Sequence, residues 1–270
     1  MIRFLILVGY FELTMYLQLS GKLNQYINIH YSYLAYISMV LSFILAVVQL
    51  IIWMKKVRIH SHLKGFWARL FSPAILVFPV MVGLLVPTVT LNSTTVSAKG
   101  YSFPLAAGSS GGTSSDGTTV QYLKPDTSAY FTSSAYKTEM QKEIKPYLKQ
   151  DKINITTENY MEVMELIYLY PDRFVGKTIT YTGFVYNDAN QKDHQFLFRF
   201  GIIHCIADSG VYGLSTTGNK AHYEDNTWIQ ATGTIHIEYN QTLKQSLPVL
   251  EMSKCQEVDK PDNPYVYRVF

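Results

Sequence analysis

YLAYISMVLSFILAVVQLIIW, residues 33–53, holds no charged side chain in 21 positions. At about 1.5 Å rise per residue, a helix of roughly 20 residues crosses a hydrocarbon layer about 30 Å thick. Residues 70–91 repeat the pattern, interrupted by Pro73, Pro79 and Pro87. These prolines are expected to kink that span rather than end it, because neighbouring helices can supply the lost backbone hydrogen bonds. A shorter apolar run at 4–19 carries Glu12 inside it. Three spans are therefore expected, at about 2–20, 32–53 and 69–91, together forming a membrane domain over 1–92. Met1-Ile2-Arg3 before an apolar run also fits the start of a signal peptide. Against that reading, Glu12 would interrupt the apolar centre, no small-x-small site follows, and two further spans come directly after.

Charge supports the division. Residues 1–92 hold seven Lys/Arg and one acid, and the remainder holds sixteen Lys/Arg and nineteen Asp/Glu. A nucleic-acid-binding protein concentrates its positive charge on a folded polar surface, whereas here the excess lies between apolar runs. Nucleic acid is thereby excluded as a partner. Lys55, Lys56, Arg58, Lys64 and Arg69 follow the second span, while only Lys22 lies between the first and second. Basic loops stay in the cytoplasm, so the N-terminus is expected inside and everything after about residue 91 outside a multi-pass cell membrane protein. Trp53 and Trp67 flank the basic loop, where interfacial aromatics are expected.

A carboxylate inside a span is costly and usually faces a partner or a wet cavity. Glu12 therefore has two readings. In one it is protonated or pairs with a polar group such as Ser42 or Gln49; in the other it docks a second membrane subunit or lines a polar path.

After residue 92 the composition changes to Ser, Thr and Gly, centred on Gly108 to Gly117, which cannot bury a core. Residues 93–154 are read as a tether followed by a charged surface segment, and 155–270 as a β domain. Thr156 and Thr157 precede an amphipathic helix at 158–170, with Met161, Met164, Ile167 and Tyr168 on one face, stopped by Pro171. Beyond it the period switches to two. Strands are expected at 177–186, 195–207, 211–217, 227–239 and 247–255, with Gly183 and Gly233 in mid-strand, where glycine marks a bulge or sharp bend. A five-stranded OB-like barrel with a preceding helix is the economical architecture, and a small β-sandwich is the competing one. The fold class is thus three transmembrane helices plus an extracytoplasmic, mainly-β domain.

Several short motifs follow one another in order. These are Gly21-Lys22-Leu23 with Tyr26-Ile27, Val48-Gln49-Leu50, Val86-Pro87, Ala98-Lys99-Gly100, Gly176-Lys177, Gly183-Phe184-Val185-Tyr186, Arg199-Phe200-Gly201-Ile202 and His204-Cys205-Ile206-Ala207-Asp208. In this order the chain resembles the YcgQ-type family of permease accessory subunits over almost its whole length. The resemblance implies a membrane protein of Gram-positive type whose partner is a separate multi-span permease, related to exporters of organic arsenicals. That family commonly carries Cys-Cys-x-Ala-Asp at the barrel strand; His204 stands in the first position here, which argues against a paired-thiol chemistry.

His204, Cys205 and Asp208 are the candidate metal ligands. Imidazole and thiolate suit a divalent metal ion or a metalloid, and a carboxylate adds a third donor. On a regular strand His204 and Cys205 face opposite ways, so one ion reaches both only at a bulge or turn. The structural alternative makes Cys205 a small buried residue, His204 a hydrogen-bonding side chain and Asp208 a turn cap. A Cys205–Cys255 disulfide is a third possibility, and two cysteines exclude a multi-disulfide scaffold. His222, Glu224 and Asp225 read as a polar loop, and the face with Trp228, His236, Tyr181 and Tyr186 as a ligand surface or a packing one. No phosphate-binding glycine loop, HExxH, nucleophile elbow or catalytic carboxylate pair is present, so no enzyme is expected and no cofactor is certain. Two functions remain: a non-catalytic permease subunit whose external barrel presents or gates a solute, or a free-standing membrane-anchored metal chaperone or sensor.

Overall fold

The computed structural model describes residues 1–57, 65–101, 133–188, 194–218, 222–240 and 245–268. They form two units, Met1–Thr90 and Leu91–Phe270.

In the first unit α1 (Ile2–Leu19), α2 (Ser32–Met54) and α3 (Phe66–Leu85) are each long and apolar enough to cross a membrane. Their apolar side chains are largely exposed, as lipid-facing residues must be, for example Ile37 at 59% and Phe78 at 66%. The third helix ends before the apolar run does. Pro73 and Pro79 lie inside it, but Pro87 holds the preceding Val86 extended, at φ −88° and ψ 124°, and stops the helix at Leu85. α1 packs on both α2 and α3. Phe11 meets Phe43 with ring centroids 5.5 Å apart, and the Tyr10 hydroxyl donates to the Leu76 carbonyl oxygen at 3.0 Å. A Cβ at Gly83 would lie 2.7 Å from Leu13 Cδ1, so α1 and α3 approach closely only because residue 83 has no side chain.

In the second unit the chain runs α4 (Ser93–Lys99), α5 (Ser133–Glu143), α6 (Lys145–Leu148), β1 (Lys152–Asn154), α7 (Tyr160–Leu169), β2 (Thr178–Asn187), β3 (Gln195–Ile202), β4 (Gly210–Thr217), β5 (Trp228–Asn240), β6 (Gln245–Glu257) and β7 (Tyr265–Tyr267). The seven strands form one sheet in the order β1-β2-β5-β6-β4-β3-β7, with an additional pairing of β2 with β3. The β1/β2, β3/β7 and β4/β6 pairs are parallel and the others antiparallel. All five strands expected from the period of two are present; β1 and β7 are additions. β5 buries Ile229, Ala231 and Ile235 as its alternation requires, and its register against β6 shifts between Thr232 and Gly233. β3 stops at Ile202 instead of reaching residue 207, because a turn at Ile206–Asp208 takes over.

Helix α7 is buried on all sides rather than along one stripe: Tyr160, Met161, Val163, Met164, Glu165, Leu166, Ile167 and Tyr168 are all inside. Its two tyrosines fasten it to one strand. Tyr160 Oη donates to the Tyr212 carbonyl at 3.1 Å and Tyr168 Oη to the Gly213 carbonyl at 2.8 Å. Gly213 has no substitute, since any Cβ there would overlap the Leu197 carbonyl.

Composition assigns residues 93–101 to a tether, yet Ser93–Lys99 is a helix on the β domain. Val96 is 1% exposed in the core, Ser93 N–H donates to Asn226 Oδ1 at 2.7 Å and Lys99 Nζ donates to the Ser209 carbonyl at 3.3 Å. Tertiary contacts override the poor helix propensity of Ser and Thr. The charged segment after it is likewise anchored, by Met140 and Ile144 in the same core. The Ser/Gly centre of the expected tether, Gly108 to Gly117, lies outside the described residues.

Candidate functional site

Glu12 is exposed near the middle of α1, sharing an exposed face with Leu5, Tyr16 and Leu19 at helical spacing. Ser42 is buried within α2. Among the described residues the Glu12 side chain makes neither a hydrogen bond nor an ion pair, with Ser42, Gln49 or any other group. The intramolecular pairing considered from sequence is therefore not formed in this unit.

In the second unit the turn after β3 brings His204 and Asp208 together. One Asp208 oxygen lies 2.7 Å from His204 Nδ1, and the carboxylate accepts the backbone N–H groups of His204 and Cys205, each at 3.0 Å. Cys205 completes a capping box: its sulfur accepts the Asp208 N–H. The side chain of His204 is 60% exposed and that of Asp208 35%. Cys205 and Cys255 are both half-buried and not joined in a disulfide, and the Cys255 sulfur lies 3.4 Å from the Tyr223 hydroxyl. Among the described residues no three His, Cys, Asp or Glu side chains are grouped so as to hold a metal ion. What the turn offers chemically is an outward imidazole oriented by a carboxylate, with a thiol in the adjacent position.

Sequence order concealed a second polar group. Val249 of β6 lies opposite both Ser215 of β4 and His236 of β5, which places those two residues on one face. His194 Nδ1 is 3.1 Å from Ser215 Oγ, and its Nε2 is 3.6 Å from one oxygen of Glu238. His236 Nε2 is 3.5 Å from the other. One carboxylate thus sits between two imidazoles. Only the strand register reveals this, since the four residues are spread from 194 to 238.

The aromatic face suggested by strand alternation is closed instead of open. Trp228, Tyr181 and Tyr186 are buried. Arg199 lies inward, 5.8 Å from the Trp228 ring and 5.6 Å from that of Tyr160. Its guanidinium donates to the carbonyls of Asn263, Pro264 and Tyr265 and to Thr157 Oγ1, tying the C-terminal segment to β3, and burial pushes its pKa down. His222, Glu224 and Asp225 do form a polar loop: Asp225 Oδ1 accepts from the Asn187 backbone and side chain, both at 2.8 Å.

Comparison with known proteins covers nearly the whole chain. Residues 2–102 match the DUF1980 N-terminal domain and residues 130–268 the DUF1980 C-terminal domain. A protein of Streptococcus mutans serotype c, described as a "Putative two-component membrane permease complex subunit", is 69% identical over 271 residues, covering 100% of both chains. UPF0703 protein YcgQ of Bacillus subtilis is 37% identical over 290 residues, again covering 100% of both chains. No solved structure matches.

Proposed function

This chain belongs to the DUF1980 family, and on that premise we propose that it is a non-catalytic subunit of a two-component membrane permease complex. The observation that carries the proposal is the full-length likeness to the Streptococcus mutans permease subunit, joined to three helices apolar enough to span a membrane. Glu12 supports it from the structure. An exposed, unpaired carboxylate near the middle of a span needs a partner, and a second membrane subunit presenting a hydrogen-bond donor supplies one.

In this reading the second unit lies outside the cell and its five central strands form an OB-like barrel. The circuit β2-β5-β6-β4-β3 and the additional β2/β3 pairing, from Phe184↔Phe198 to Asn187↔Gln195, support closure. The barrel presents or gates the solute of a multi-span partner. Two polar surfaces are available for that task, the His204–Asp208 turn and the group around Glu238. A metal or metalloid contact through His204, Cys205 and Asp208 belongs to the same proposal.

The test is purification of the full-length protein from its native membrane in mild detergent. A larger membrane protein should co-purify in constant ratio. Purification of this chain alone, in every mild detergent tried, would instead favour a free-standing anchored binding module.

A further inference from the structure

A cavity of about 680 Å³ opens in the first unit between the start of α1 and the end of α2. Arg3 and Lys56 line it with Ile2, Ile52, Trp53 and Val57. The cations and the apolar wall are thus side by side, at the ends of two helices long enough to span a bilayer, which is the level of lipid headgroups. Trp53, 56% exposed, is the kind of residue that sits at this level. Neither Arg3 nor Lys56 has an ion-pair partner among the described residues. The one acid of residues 1–92, Glu12, is nine positions from Arg3 and so about 14 Å along the helix.

Lys56 is held there by the backbone. α2 closes with Val57 N–H on the Ile52 carbonyl at 3.2 Å and Lys56 N–H on the Trp53 carbonyl at 3.1 Å. This closure requires a left-handed residue, usually glycine, and Lys56 adopts it at φ 51°. A lysine at this position costs local stability, yet Lys56 is the residue that lines the cavity here.

We propose that this cavity binds the phosphate of an anionic phospholipid, with Arg3 and Lys56 on the headgroup and the acyl chain along Ile2, Ile52 and Val57. Guanidinium matches phosphate oxygens in a planar fork, and lysine adds a point charge. The apolar wall distinguishes a lipid from soluble phosphate, which has nothing to bury against it.

Native mass spectrometry of the full-length protein in detergent tests this, with phosphatidylglycerol, phosphatidylcholine or glycerol phosphate added separately. Phosphatidylglycerol should be retained preferentially, and glycerol phosphate should not displace it. Arg3→Gln and Lys56→Gly should each lower its retention about fivefold, the effect of one basic residue at an anionic surface. Lys22→Gln, which removes a lysine contacting Tyr16 elsewhere in the unit, should leave retention unchanged. Lys56→Gly also separates binding from folding, because glycine suits φ 51° and the variant should melt no lower than the parent. Undiminished retention in both site variants, equal retention of phosphatidylcholine, an equal loss in Lys22→Gln or displacement by glycerol phosphate would each overturn the proposal.

Discussion

His204 Nδ1 and Asp208 Oδ2 are 2.7 Å apart, and the carboxylate that orients this ring also caps the turn beneath it. The backbone N–H groups of His204 and Cys205 both point to Asp208. Replacing the carboxylate leaves these donors without their acceptor. Asp208→Ala should lower the stability of the β domain by about 1–2 kcal/mol, the usual cost of a lost cap. Asp208→Asn keeps an acceptor oxygen and should cost less. Thermal melts of the full-length protein, followed in the aromatic circular-dichroism bands, provide the measurement.

The same geometry defines how a metal would be held. With Asp208 engaged by the turn, the His204 imidazole and the Cys205 sulfur would be the principal donors, fewer than the three or four a zinc site uses. Tight binding therefore needs further ligands from the partner subunit or the solute. Calorimetric titration with zinc and with an arsenical should show any binding weakening as pH falls and vanishing in Cys205→Ser, because both donors must lose protons. Cys255→Ser should leave it unchanged. Equal loss in the two cysteine variants would remove the His204 turn as the contact.

Buried phenols make the domain sensitive to alkali. Burial pushes Tyr147 and Tyr267 up to about 12 and raises Tyr168 and Tyr181 well above their ordinary range. In the unfolded chain these groups ionise near pH 10. Between about pH 10 and 12 the unfolded state releases protons that the folded state retains, so stability present below pH 10 is lost as pH rises. A spectrophotometric titration should show tyrosinate from these residues appearing together with loss of sheet signal. Tyrosinate accumulating fully while the sheet persists would contradict the burial.

Period and hydropathy made the three spans, helix α7 and five strands legible, since each has enough residues to display its repeat. β1 and β7 have three residues each and show no repeat; pairing with β2 and β3 defines them. The helix Ser93–Lys99 was hidden because Asn226 supplies its N-terminal hydrogen bond from 133 positions away. Of the candidate site, the proximity of His204 and Asp208 followed from a turn that could be anticipated. The grouping of His194, Ser215, His236 and Glu238 could not, because three different segments and the register of β6 create it.

Orientation in the membrane can be read with an impermeant maleimide on intact cells. In a background with Cys205→Ser and Cys255→Ser, Lys254→Cys, at an exposed position of β6, should be labelled from outside, and Lys55→Cys at the end of α2 only after permeabilisation. The basic loop argument requires this pattern. The reverse pattern would place the β domain in the cytoplasm and end the external-barrel reading.

Glu12 gives the sharpest test of the complex. Its place in α1, an 18-residue helix, puts it within about 3 Å of the midpoint, where a charged side chain costs roughly 3 kcal/mol to insert. Glu12→Leu removes that cost, so the variant should insert at least as well as the parent. If the carboxylate meets a donor on the partner, the same variant should lose co-purification of the partner by about tenfold or more, since an unmatched polar group is then left in hydrocarbon. Glu12→Gln separates the two forms of contact. A neutral hydrogen bond survives the change and retains most of the partner, whereas an ion pair does not and makes Gln as weak as Leu. Partner recovery undiminished in Glu12→Leu would show that this face of α1 is not where the second subunit docks.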